Sequence, residues 1–405
     1  MIFPFGDAAD ILDRLTAKGF QAYAVGGAVR DFLLRRPIHD VDIATSARPE
    51  EVVDLFRHTV PIGIKHGTVA VLYKEKSYEV TTFRSEQGYD DFRHPTTVVF
   101  ERTLEKDLMR RDYTMNALAM DRQGKIIDLF GGQSDLAVKR IRMVGNPEER
   151  ITEDPLRIMR GIRFASELGF SLGEAEQTAF QRKARLLKKI SMERIDQEMT
   201  KFLAGKWFSA AIDLLYGTGC TRYLPILSER KEVSALQTIQ MEHGTSDAER
   251  WAIFLSVLGI HDIGTFSQAW KWSAARKNAV RQMLTWLESR RSADWERWTV
   301  YNAGPNLALS IERLRCALGE SSESQYVQSE QKISHFWQAC PIHSRHELQA
   351  NGDDFAAWAA EKPGPWLAGV LRSAEQSVVS GQLPNERETI ESWFREWRKT
   401  QKTPS

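Results

Sequence analysis

AVGGAVRDFLLRRPIHDVDIAT, Ala24 to Thr45, is the stretch on which the reading of this chain turns. A short apolar strand runs into Gly26-Gly27, AVRDFLLR continues as a helix, and HDVDIAT returns as a second strand. Paired glycines at such a junction let backbone N–H groups approach phosphate oxygens, with a helix N-terminus behind them. Arg30 and Asp31 fall in the first turn of that helix. Taken alone, a GG pair is an ordinary strand-to-helix turn. Asp40 and Asp42 add chemistry to it. Two apart in a strand, their carboxylates project from one face. Like charges that close are unfavourable unless a cation or strong donors neutralise them. Magnesium suits hard oxygen ligands and keeps sites open for water or phosphate. Glu79, in SYEVTTFR, is a third candidate carboxylate.

Outward from this stretch, composition narrows the choices. The chain has 405 residues, 42% hydrophobic and 27% charged, enough apolar material for two or three domain cores. Lys and Arg number 55 against 54 Asp and Glu, so nucleic-acid binding would require basic residues segregated on one face. The cysteines Cys220, Cys316 and Cys340 are widely spaced, which supports neither a disulfide framework nor a CxxC metal site and points to a reducing, cytoplasmic setting. No basic leader is visible at the N-terminus, and no apolar run reaches the ~18 residues of a membrane span, so no membrane partner is expected.

All 12 tryptophans lie from Trp207 onward, a shift that suggests separately built regions. Before about residue 148 the runs AYAV, VDIAT, TVAVLY, YEVTTF and IIDLF read as strands, with KEKS as the loop of an antiparallel hairpin. From about Ile151 the spacing is helical, as in PLRIMRGIRFASEL. The tryptophans are expected in the core. The predicted class is α+β: a head with a small mixed or antiparallel sheet flanked by helices, then an elongated all-α C-terminal region.

Two later segments carry further chemistry. In RRDYTMNALAMD, Arg111 can offer a bidentate fork to phosphate and Asp112 can accept from a ribose hydroxyl. In EDPLRIMRGIRFA, Asp154, Arg157, Arg160 and Arg163 recur every three residues, which places them on one helical face.

GGAVRD followed by HDVDIAT resembles the catalytic signature of the nucleotidyltransferase superfamily that includes DNA polymerase β. The later segments resemble its class II tRNA nucleotidyltransferase branch, which holds CCA-adding enzymes, their CC- or A-adding relatives and bacterial poly(A) polymerases. The motif match spans about residues 24–200. It implies a catalytic head at 1–148, a base-reading helical neck at 149–206, a helical body at 207–300 and a tRNA-binding tail at 301–405. Implied substrates are CTP, ATP and the acceptor stem and T arm of tRNA. The implied cofactor is Mg2+ on Asp40 and Asp42, with Glu79 as a third catalytic acid. Nucleotide contacts are implied for Gly26, Gly27, Arg30, Arg111, Asp112, Asp154, Arg157, Arg160 and Arg163. A homodimer is compatible with the resemblance.

The resemblance assigns base choice to Asp154 and Arg157, and hydrogen bonding makes that intelligible. Cytosine and adenine each place an exocyclic amine beside a ring-nitrogen acceptor. Asp154 would accept from the amine and Arg157 would donate to the ring. Guanine and uracil would set donor against donor, leaving buried groups unpaired. EQGYDDFRHP, residues 86–95 with Asp90, Asp91 and Arg93, reads as a mobile loop. In the family such a loop helps switch the pocket from C to A. In SMERIDQEM, Glu193, Arg194 and Glu198 are expected to brace the base-reading helix. Basic clusters at 181–189, 276–277 and 290–291 are candidate RNA contacts.

Three other readings remain. A poly(A) polymerase would use the same motifs, a non-catalytic RNA-binding protein would keep only the fold, and GIHDIG, residues 259–264, is similar to the HD phosphohydrolase signature, with His243 upstream.

Overall fold

The computed structural model describes residues 3–89, 95–228 and 233–401. The chain forms two compact units, one of residues 1–237 with 264–272 and the other of 238–263 with 273–405. The divisions expected at 206/207 and 300/301 are not the unit boundaries. Residues 264–272 return to the first unit because two tryptophans anchor them. Trp270, fully buried, donates from Nε1 to Pro225 O at 3.1 Å, and Trp272 donates to Asp196 Oδ1 at 2.8 Å.

The first unit opens with α1 (Ala8–Ala17), β1 (Ala22–Val25), α2 (Gly27–Leu33), β2 (Asp42–Thr45), α3 (Pro49–Leu55), β3 (Thr59–Gly63), β4 (Thr68–Tyr73) and β5 (Lys76–Thr82). After β6 (Arg84–Tyr89), β7 (Pro95–Phe100) and α4 (Leu104–Met109) come β8 (Leu118–Met120), β9 (Ile126–Asp128) and α5 (Gly132–Ala137). Seven strands make one sheet in the order β3-β4-β5-β2-β1-β8-β9. Only β2 and β5 run parallel, and every other pair is antiparallel, so the sheet is mixed as expected. Val25, Ala44, Phe83, Leu104, Leu108 and Ala119 close a core beneath it.

Two expectations are corrected here. The β4–β5 hairpin turns on Lys74 and Glu75 alone, both at positive φ (46° and 65°), and Tyr73 already pairs with Lys76. Left-handed residues at both central positions match strand twist, so the turn is two residues long rather than four. Residues 86–89 and 95 are strand rather than loop, because β6 pairs antiparallel with β7. Asp90, Asp91 and Arg93 lie outside the described residues.

Helices follow. They are α6 (Pro147–Glu153), α7 (Leu156–Leu168), α8 (Glu174–Lys183), α9 (Met192–Leu203) and α10 (Phe208–Gly217). α7 is buried along most of its length. Leu156, Ile158, Met159, Ile162 and Phe164 supply its apolar contacts, which is why its arginines are held so firmly. Gly161 sits mid-helix, where a Cβ would lie 2.3 Å from Tyr113 Oη. Its bare backbone lets the fully buried Tyr113 pass and donate to Arg157 O at 2.6 Å.

The second unit is helical. One of its cores gathers Ile342, Phe355, Val370, Val378, Ile390 and Phe394, with Trp298, Trp358, Trp366, Trp393 and Trp397 packed on it. Trp207, in the first unit, departs from the expectation for tryptophan. It is 48% exposed and lies across Gly169 at the end of α7.

Candidate active site

A recess of about 660 Å³ opens in the first unit between the sheet and α7. Its lining includes Gly26, Gly27, Arg30, Asp42, Glu79, Arg111, Asp112, Asp154, Arg157, Arg160 and Arg163. Residues spread over more than 130 positions of sequence thus face one space. A wider recess of about 1090 Å³, lined by Asn146–Glu149, Thr152, Glu153 and Glu174, shares none of these residues.

The sheet supplies the acids. The parallel register that pairs Ile43 with Val80 sets Asp42 beside Glu79 one step back. Asp42 and Glu79 are both exposed as residues. The surrounding walls nonetheless strip enough hydration to make burial the main cause of their raised pKa values. Arg111 opposes that shift at Asp42 while the Asp40 charge adds to it, and at Glu79 both aspartates add to it. Asp40 does not share the strand, contrary to expectation. β1 ends at Val25, opposite Asp42, and Gly26 turns away with φ +72°, so β1 offers residue 40 no partner. Asp40 still lies near enough to act on both other acids. Hard oxygen donors with this excess of negative charge fit a divalent cation. Among the described residues no three His, Cys, Asp or Glu side chains converge as a preformed metal shell.

At Gly26 a Cβ would stand 2.7 Å from Arg111 Nη1, so glycine lets that guanidinium close on the junction. Arg111 reaches Asp107 Oδ2 at 3.2 Å, while its buried Nε has no partner. Arg30 makes a bidentate pair with Asp31 (3.0 Å twice) and donates to Asn116 Oδ1 at 2.7 Å.

The α7 side is a network of paired charges. Asp112 Oδ2 accepts from Arg160 Nε (2.7 Å) and Nη2 (2.5 Å), and Oδ1 accepts from Tyr113 N (2.7 Å) and Asn116 Nδ2 (3.1 Å). Burial opposes its charge, but these donors prevail and hold the carboxyl well below the usual range. The charge of Asp112 in turn holds Arg160 firmly protonated. Arg163 donates to Glu198 (2.5 Å) and Glu167 (2.8 Å) and lies over the Phe164 ring at 4.0 Å. Arg157 is bound to Arg150 O (3.1 Å), Glu153 (3.2 Å) and Arg110 O (3.3 Å).

Asp154 is not on the helical face expected for it. It ends α6 in an extended conformation (φ −138°, ψ 97°), with Pro155 at the N-cap of α7. A residue before proline is driven out of the helical region. Arg194 Nη2 holds both of its oxygens, at 3.1 and 3.3 Å, and Leu156 N donates to Oδ1 at 3.1 Å. Arg194 and Glu198 therefore brace the residues around α7, while Glu193 pairs with Lys271 at 3.1 Å.

Comparison with known proteins accounts for this assembly. Residues 22–142 match the family described as "Poly A polymerase head domain", residues 169–230 the "RNA and SrmB- binding site of polymerase A", and residues 242–394 "tRNA nucleotidyltransferase domain 2". The chain is 42% identical to the CCA-adding enzyme of Bacillus cytotoxicus over 394 residues, 97% of this chain and 98% of that one. The chain belongs to the CCA-adding enzyme family. It is accordingly a nucleotidyltransferase. The crystal structure of the Bacillus stearothermophilus CCA-adding enzyme in complex with CTP is 40% identical and covers 99% of both chains, with a TM-score of 0.93. The Thermotoga maritima CCA-adding enzyme complexed with tRNA, at 20% identity and a TM-score of 0.63, shares the fold.

Family membership covers both units, so the carboxylates are to be understood with the helices rather than as an isolated head. Asn116 and Lys201 are among the recess residues that sequence reasoning missed. Asn116 lies inside RRDYTMNALAMD, four residues beyond Asp112, and bridges Arg30 to Asp112. Lys201 lies on α9, seven residues beyond Arg194. The basic cluster at 290–291 is less open than its spelling suggests. Arg290 is buried over Trp295 (4.6 Å), and Arg291 is paired with Glu288 and Glu320, each at 2.7 Å. In the segment similar to an HD signature His261 is exposed, and His243 bonds Gln240 at 2.9 Å.

Proposed function

We propose that this chain completes the tRNA 3′ end, adding C, C and A in turn from CTP and ATP with release of pyrophosphate and without a nucleic-acid template. One observation carries the reading. Residues from all four motifs line a single recess in a chain that is 42% identical to a CCA-adding enzyme along 97% of its length. Enzymes of this family use a divalent metal. Magnesium is assigned here to Asp40 and Asp42, with Glu79 beside them. When bound, it supplies activation of the RNA 3′-hydroxyl and charge stabilisation of the leaving pyrophosphate.

The chain's own residues do the rest. Arg111, whose Nη1 is held only by a long 3.4 Å bond to Asn116 O, meets triphosphate oxygens beside the Gly26-Gly27 junction. Asp154, fixed by Arg194, accepts from the exocyclic amine of C or A. Arg157 spends three of its five N–H groups on Arg150 O, Glu153 and Arg110 O, leaving two for the base ring. All four acceptor positions of Asp112 are filled. A ribose hydroxyl reaches it by displacing the longest of these donors, Asn116 Nδ2. The helical regions hold the acceptor stem and T arm by backbone shape, since the substrate comprises many tRNAs. No described helix is long and apolar enough to cross a membrane, and the proposed compartment is the cytoplasm.

The test is tRNA lacking its 3′ end, incubated with CTP alone. Two cytidines and then a stop are expected. Repeated addition of A from ATP onto the same RNA would assign the chain to poly(A) polymerases instead. Absence of magnesium-dependent incorporation would leave an RNA-binding role, and phosphate release surviving loss of Asp40 and Asp42 an HD-type hydrolase.

A further inference from the structure

α9 turns three charged residues toward the α7 side of the recess at positions i, i+4 and i+7, namely Arg194, Glu198 and Lys201. This is one helical stripe. The first two are committed. Arg194 holds Asp154, and Glu198 holds Arg163 at 2.5 Å and Arg160 at 3.5 Å. The third is not. Lys201 lines the recess with an exposed side chain and makes no ion pair or side-chain hydrogen bond among the described residues. The α7 arginines differ from it. Arg160 already faces Asp112 and Arg163 faces Glu198 and Glu167, so their charge is largely cancelled before any ligand enters.

We propose that Lys201 is a phosphate-binding residue of the site, donating from Nζ to an anionic phosphate oxygen lodged in the recess. This rests on the nucleotidyltransferase reading given above and extends it to a residue outside the catalytic motifs. An ammonium on a flexible stem is a point charge suited to a phosphate whose orientation changes as the RNA lengthens from one addition to the next. The neighbouring arginine forks, pinned by carboxylates, hold fixed directions. Two sources share this chemistry. One is the triphosphate of the incoming nucleotide, and the other is the 3′-terminal phosphodiester of the RNA.

Lys201→Gln and Lys201→Arg are compared with the full-length wild type in magnesium-dependent CTP incorporation, with KM measured separately for CTP and for tRNA. Loss of one charge-assisted contact predicts a KM about tenfold higher for whichever substrate carries the phosphate, with kcat within about twofold. A shift confined to CTP identifies the triphosphate, and a shift confined to tRNA identifies the RNA. Lys201→Arg restores most of the affinity, and Tm stays at the wild-type value because the side chain is exposed and unpaired. Unchanged KM for both substrates in Lys201→Gln overturns the proposal, as does an equal loss in Lys201→Gln and Lys201→Arg accompanied by a fall in Tm. A wild type that incorporates no CTP would instead overturn the nucleotidyltransferase reading itself.

Discussion

The two sides of the recess are both made of charge, yet they are put together in opposite ways. On the sheet side Asp42 and Glu79 sit next to one another with Asp40 close by; burial and the Asp40 charge raise the proton affinity of Asp42, and burial with both aspartates raises that of Glu79. On the α7 side, Lys201 apart, the charges meet counter-charges, Arg160 with Asp112 and Arg163 with Glu198, and Asp112 is held ionised in spite of burial. A surface that is incomplete by itself has its missing partner in a ligand. A surface that is complete by itself is there to hold shape. The expensive electrostatic arrangement is thus confined to the side where a cation belongs, and the recognition side is rigid before substrate arrives.

Substitutions on the two sides should therefore fail differently. The largest effect is expected from Asp42→Ala, which should cut CTP incorporation by at least about a thousandfold, roughly 4 kcal/mol of barrier. Its Tm in metal-free buffer should equal or exceed that of the wild type, because a repulsion has been removed. A variant that melts well below the wild type would show that the acids on the sheet side are structural. Next, Arg160→Met leaves Asp112 buried without its main partner, and denaturant unfolding should show a loss of about 3 kcal/mol. If that variant were inactive but as stable as the wild type, the α7 side would belong with the acids instead.

The smallest effect is in pH. A carboxyl whose folded pKa is depressed contributes stability that is present above its unfolded pKa, near 4, and lost as the pH falls towards the folded value. The unfolding free-energy gap between wild type and Asp112→Asn should therefore be constant above about pH 5 and shrink on acidification. A gap that widened in acid would reverse the assignment of Asp112 as the firmly ionised member of the pair.

How much of this could be read from the letters differs by feature. Strand runs such as AYAV and TVAVLY, and the GG junction, are local patterns whose periodicity survives folding. The acid pair was legible as well, although the start of β2 depends on where β1 ends, which HDVDIAT does not record. Asp154 could have been placed by the proline after it, but the regular three-residue spacing to Arg157 argued for a shared helix face. The pairing of Asp112 with Arg160, 48 residues apart, and of Arg163 with Glu198, 35 apart, was out of reach because no local pattern specifies it. Asn116 and Lys201 were overlooked for a related reason. Each looks ordinary in sequence and gains its meaning only from what stands across from it.

The neighbourhood of Asp42 and Glu79 has an evolutionary corollary. Their meeting depends on counting as much as on chemistry, since side chains in a strand alternate between faces. One residue inserted between Lys76 and Glu79, with every letter preserved, would turn Glu79 away from its partner. Single-residue gains and losses should thus be purged from this short segment far more severely than conservative replacements, and lineages of such enzymes should vary in spelling there while keeping its length.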